Sequence, residues 1–198
     1  MIEFVRLVFV GTRSIMKKHL PFFLLFLLLA PTGPLPGQDT PQDEPKRGPS
    51  TPQERQRFVD LTRKLEQNPL DKSLYAQKKW ALQWIEDIPD INVTPCPTVL
   101  GLDLIASRYR YGSQLMYQVL FGNVVFLIEH PDKKNDNVAQ YTAGVESALR
   151  AYKGILRADP VVSRTMEELL QKQSQGKLAD FVKQSSKECQ PNRDQAGF

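Results

Sequence analysis

The sequence has little of what catalytic chemistry usually needs. It holds two histidines and two cysteines in 198 residues. One histidine, His19, lies in a leader-like segment, so His130 is the single imidazole left for the folded part. Without a second histidine there is no H-E-x-x-H zinc pair, and no C-x-x-C, P-loop, dinucleotide fingerprint or G-x-S-x-G elbow occurs. No cofactor is implied. Charge of one sign is also missing. The net charge is +4, but Arg6, Arg13, Lys17 and Lys18 stand against Glu3 alone at the front, so the remainder is nearly neutral. A nucleic-acid binder would carry a basic excess or stripe, so no nucleic-acid partner is expected. Beyond the front there is no apolar run long enough to span a bilayer.

What is there begins at Met16. Lys17 and Lys18 precede an apolar stretch, Leu20 to Ala30, broken only by Pro21. A positive start followed by a short apolar core is the pattern of a secretory signal. Residues 1–37 are therefore a targeting segment, and a membrane is met only through that signal if it stays uncleaved. Residues 1–15 do not suit a signal's positive start, which implies translation from Met16. Seven of the 15 prolines follow between Ala30 and Pro52. Such a stretch cannot bury enough apolar surface to offset its ordering entropy, so residues 38–50 are expected to be a disordered, proline-rich linker. A folded domain is expected over 51–190 and a disordered tail over 191–198.

Within that domain the period is helical and no strand of useful length appears, which predicts an all-α fold, a single bundle of about six helices in antiparallel hairpins. Thr51, Pro52 and Glu54 form a capping box with proline at the first helical position, and Asn68-Pro69 ends that helix. A second helix is expected from Asp71 to Pro89, its face set by Leu74, Ala81, Ile85 and Ile88, with Trp80 and Trp84 on one flank. The third, from Thr98 to His130, is broken near Gly112. Its second half is apolar on almost every face, which puts it at the centre. The fourth, capped by Asp136 and closed by Asp159-Pro160, carries Val138, Tyr141, Val145, Ala148, Leu149, Tyr152, Ile155 and Leu156 as one stripe. Thr165 is expected to cap a fifth helix that Gly176 ends, and Leu178, Phe181 and Val182 start a sixth.

Three groups are candidates for function. Glu129 beside His130 could activate water, but adjacent helical residues point about 100° apart. A histidine before Pro131 is more simply a helix stop. Arg108, Tyr109, Arg110 and Tyr111 could clasp an anionic or carbohydrate ligand, or pack their rings inward and leave the arginines in water. Cys96 and Cys189 are an even pair in an exported chain, which predicts a disulfide with Cα atoms roughly 4.4–6.8 Å apart. Asp132, Lys134 and Asp136 are no calcium loop, because Asn137 and Ala143 replace its glycine and its last glutamate.

The sequence thus implies an exported protein, periplasmic or secreted. The expectation is a non-enzymatic module that binds an unknown protein or peptide partner of the cell envelope or exterior. The alternative is a small hydrolase or ligand carrier using the Arg108–Tyr111 and Glu129–His130 neighbourhood. For the start site, N-terminal mapping of the nascent precursor is expected to begin at Met16, and recovery of a peptide from Ile2 to Arg13 would contradict that.

Overall fold

A computed structural model describes residues 47–100, 104 and 109–189. The targeting segment, most of the linker and the C-terminal tail read from the sequence lie outside the described residues, as does Arg108. Six α-helices and no strand occur among the described residues: α1 (Pro52–Gln67), α2 (Tyr75–Asp87), α3 (Gly112–Glu129), α4 (Asn137–Ala158), α5 (Arg164–Ser174) and α6 (Leu178–Ser185). Short 3-10 turns at Lys72–Leu74, Pro97–Leu100, Pro131–Lys133 and Ser186–Cys189 link or end them. The domain is an all-α bundle, as its periodicity requires.

α1 starts as its capping box dictates. The Thr51 hydroxyl accepts from the Glu54 amide at 3.2 Å and the Glu54 carboxylate accepts from the Thr51 amide at 2.9 Å. The chain just ahead is held too. The Ser50 amide and hydroxyl both donate to Asp90 at 2.7 Å, and Arg55 reaches the same carboxylate at 2.8 Å. Residues 47–50, expected in the linker, are therefore anchored to the domain. α2 also differs from expectation. Asp71 caps a 3-10 turn through the Ser73 amide, and the α-helix proper begins at Tyr75. Trp84 belongs to its core face rather than a flank. It is 1% exposed and stacks on Phe58 with ring centroids 4.9 Å apart, while Ile85 is only half-buried.

α3 divides the interior. Phe121, Val124 and Val125 join Phe58, Leu61, Leu65, Ala81 and Trp84 in one apolar cluster. Leu115 and Val119 join Tyr141, Val145, Leu149, Tyr152 and Ile155 in the other. Its central place follows from having no polar face wide enough to offer water. Antiparallel to it runs α4, capped by Asp136 through the Ala139 amide at 3.0 Å. The stripe read from the sequence is buried from Tyr141 to Ile155, while Val138 and Leu156 at its ends are half-buried. α4 buries a second face as well, made of Gly144, Ser147, Ala151 and Gly154. Backbones meet there. A Cβ on Gly122 would lie 2.9 Å from the Gly144 Cα, and one on Gly144 would lie 2.8 Å from the Val119 carbonyl oxygen. A Cβ on Gly154 would lie 2.7 Å from Pro69 Cδ and 2.9 Å from the Gln67 carbonyl oxygen. Only hydrogen fits at these points.

α5 is capped by Ser163, not Thr165. The Ser163 amide donates to the Tyr152 hydroxyl at 3.0 Å, which holds Ser163 extended so that its own hydroxyl can accept from the Met166 amide. Tyr152 donates onward to Glu167 at 2.7 Å, and burial pushes its phenol up to about 12. At the far end Gly176 takes φ +70°, and the amides of Lys177 and Gly176 return to the carbonyls of Lys172 and Gln173. α6 buries Leu178 and Val182. The 3-10 turn after it ends at Cys189, which is bonded to Cys96 with Cα atoms 5.5 Å apart. The bond joins residues 93 apart, a closure that stabilises by roughly 4–5 kcal/mol in the chain-entropy picture.

The tight α3–α4 crossing makes a specific demand. Alanine is the better helix former by about 1 kcal/mol, so Gly144→Ala would stabilise an uncrowded helix. Here overpacking should outweigh that gain. We expect a net loss of about 1–3 kcal/mol in urea unfolding with the disulfide intact, against near-neutrality for Gly48→Ala, whose Cβ meets nothing within 4 Å.

Candidate functional site

The most constrained polar group in the domain is Glu66, in the last turn of α1 and 5% exposed. A buried carboxylate is costly unless it is paired and hydrogen-bonded. Glu66 is both. It accepts from the Ser147 hydroxyl at 2.6 Å and from Arg150 through Nε and Nη2, each at 2.8 Å. Arg63 adds a longer contact at 3.3 Å. Gln118 completes the cluster from α3, donating to Ser147 Oγ at 2.9 Å and to the Thr62 carbonyl at 3.3 Å. The hydrogen bonds to Glu66 raise the Arg150 guanidinium above its usual range, so it stays charged. Ser147 is fully buried and its proton is committed to a carboxylate. The cluster is a clamp tying α1, α3 and α4 together.

Beside the clamp lies a cleft of about 600 Å³ along the outside of the α3–α4 hairpin. Arg63 and Arg150 form one wall. Phe126, Glu129 and His130 form another, with the rings of Phe126 and His130 4.9 Å apart. Gly122, Ala139 and Ala143 give it a floor of small residues. Both guanidiniums are turned to carboxylates. Arg150 is held by Glu66, and Arg63 lies between Glu66 and both oxygens of Glu129, the latter at 3.4 Å. Glu146 also lines the cleft. It is half-buried and makes no hydrogen bond or ion pair among the described residues, though its charge acts on Arg150 through space. Asp136, at the cleft's edge, is engaged in capping α4.

The candidates read from the sequence separate into two places. Glu129 and His130 are in the cleft. His130 also ends α3, its amide donating to the Phe126 carbonyl at 2.8 Å, so the helix-stop role and a place in the cleft coincide. Tyr109, Arg110 and Tyr111 are at the other end of α3, about 27 Å away for a helix of 18 residues. Tyr109 donates to the Val161 carbonyl at 3.0 Å, and burial pushes its phenol up to about 12. Tyr111 donates to Asp159, a bond that raises its phenol too. Arg110 is largely exposed and pairs with the same Asp159 at 3.1 Å. The rings thus face inward and fasten the start of α3 to the α4–α5 connection. The two neighbourhoods do not form one site.

Four charged residues of the cleft and clamp were not candidates from the sequence: Arg63, Glu66, Glu146 and Arg150. Each is an ordinary charged residue on an amphipathic helix until α1, α3 and α4 are brought together. Among the described residues no group of three His, Cys, Asp or Glu side chains could hold a metal, and no helix is long and apolar enough to cross a membrane.

Removing the clamp's centre should cost far more than removing its rim. Glu66→Ala would strip Arg150 and Ser147 of their acceptor, and we expect about 2–3 kcal/mol of lost stability, moderated because both arginines reach solvent. Glu129→Ala, whose pairing with Arg63 is long and exposed, should cost under about 0.5 kcal/mol. Denaturant unfolding of the two variants side by side measures the difference.

No family model, no curated protein and no solved structure matches this chain.

Proposed function

We propose that this chain is an exported, non-enzymatic helical domain that binds a protein or peptide partner of the cell envelope or exterior through the α3–α4 cleft. The observation that carries the reading is the cleft itself. Charged and aromatic side chains line it, and the buried Glu66 clamp fixes the wall that bears Arg150. Rigidly held groups around an open concavity favour binding, because less side-chain entropy is lost when a partner arrives. Export is supported by the leader-like sequence and by the Cys96–Cys189 bond, since disulfides persist in oxidising compartments. A proline-rich linker between leader and domain would let the cleft reach a partner away from the point of attachment.

The rival reading, a small hydrolase, asks either for a hydroxyl or thiol presented to His130 or for a water activated by Glu129 and His130, and Glu129 already faces Arg63 at 3.4 Å. The hydroxyls nearest the cleft are engaged elsewhere. Thr142 donates to the Val138 carbonyl at 2.7 Å and Ser147 to Glu66. Both cysteines are in the disulfide. These commitments weigh toward binding.

A photo-crosslinking residue placed at Ala139, on the cleft floor, should yield a discrete adduct in cells that naturally make the protein. The same residue at Tyr75, 73% exposed on α2 and outside the cleft, should not. Equal labelling from both positions, or none from Ala139, would rule the cleft out as the binding surface.

A further inference from the structure

We infer that the cleft receives a basic side chain, lysine or arginine, of a partner polypeptide. This rests on the binding role proposed above and adds the chemistry of the occupant.

The charge balance of the cleft sets the sign. Its two cations, Arg63 and Arg150, are offset by Glu66 and Glu129, with which they already pair. Glu146 and Asp136 remain in excess. An anionic ligand would meet guanidiniums whose best donors are occupied and carboxylates that repel it. A cation would meet the opposite. Glu146 is the focus, since it is partly withdrawn from water and, among the described residues, makes no direct ion pair, its charge acting on Arg150 only through space. Withdrawal of an unpaired carboxylate is unfavourable, and an incoming ammonium or guanidinium supplies the missing charge.

The shape suits a long basic side chain. Gly122 leaves depth over the floor because α3 and α4 approach too closely there for any side chain, and Ala139 and Ala143 add only methyl groups. An aliphatic stem can lie along such a floor while its charged end stays near carboxylates. His130 and the edge of the mostly buried Phe126 ring line the adjoining wall, and an aromatic ring there favours a nearby cation. The domain already makes this contact internally, with the Arg57 guanidinium 3.8 Å from the Trp80 ring centre and the Lys78 amine 4.5 Å from that of Tyr117. A polypeptide is favoured over a free amine because the cleft is open along the hairpin and bordered by the half-buried Val138, which can take an apolar neighbour of the basic residue.

The test uses the full ¹⁵N-labelled protein and three nonapeptides, alanine- and serine-based and identical except for a central lysine, glutamine or glutamate. The lysine peptide should shift amide resonances of residues 122–150 and bind about tenfold more tightly than the glutamine peptide, with the glutamate peptide weaker still. Raising the salt should narrow the gap. Glu146→Gln should remove most of the lysine preference and leave the helical circular dichroism unchanged. Equal or tighter binding of the glutamine or glutamate peptide overturns the assignment, as does a lysine preference that survives Glu146→Gln. A lack of shifts with all three peptides overturns it too. The Ala139 cross-link reads independently whether the cleft binds a partner at all.

Discussion

The close approach of α3 and α4 is the constraint on which the rest of the domain depends. Gly122 and Gly144 bring the two backbones into contact, and nothing larger than hydrogen fits between them. Once the helices are that near, Ser147 and Gln118 stand within 2.9 Å of each other in the seam and can serve a carboxylate from α1. Glu66 then has a place to be buried with its partners supplied. The same nearness lets α3 act as a wall with a separate apolar cluster on either side. The floor of the cleft is a by-product, since the small residues that allow contact between helices are also too small to fill the groove outside it. Packing and the candidate site therefore have one origin.

Much of the fold was legible because its signals are local. The Thr51 box, the Asp136 cap, the stripe on α4 and the left-handed stop at Gly176 each involve residues within a turn or two of one another, and each formed as its sequence implies. The disulfide was legible from compartment logic and from a cysteine in otherwise unpatterned sequence. The misreadings are also informative. Thr165 satisfied the capping pattern, but Tyr152, eleven residues before Ser163, holds Ser163 in the capping conformation instead. Trp84 was assigned to a flank because aliphatic spacing set the face of α2, whereas the largest side chain follows the ring of Phe58 into the core.

The site was much less legible. His130 and Glu129 attracted notice as rare chemistry, yet the residues that define their surroundings are 63, 66, 146 and 150. The pairings of Glu66 with Ser147 and Arg150 span 81 and 84 positions. No periodicity marks such a pair, because each partner looks like a solvated charge or a small polar residue on its own helix. The glycines and serine on the second face of α4 carried the better clue. Gly144, Ser147, Ala151 and Gly154 recur at helical spacing beside the aliphatic stripe, and a ridge of small residues announces a close neighbour. Attention to large apolar side chains alone passes over it.

The bond between Cys96 and Cys189 has a mechanical meaning. It closes a covalent ring around α3, α4, α5 and α6 and leaves α1 and α2 outside. Tension applied between the two chain ends would run from the amino-terminal side to Cys96, cross the sulfurs to Cys189 and leave by the carboxyl end. The helices inside the ring would carry none of that load along their backbone. α1 and α2 lie in the line of pull, and peeling α1 away would draw Glu66 out of its clamp. Arg150 would then lose its anchor and Arg63 would leave with α1, while the hairpin beneath stayed bounded by the ring, so stretching would loosen one wall of the cleft before the other.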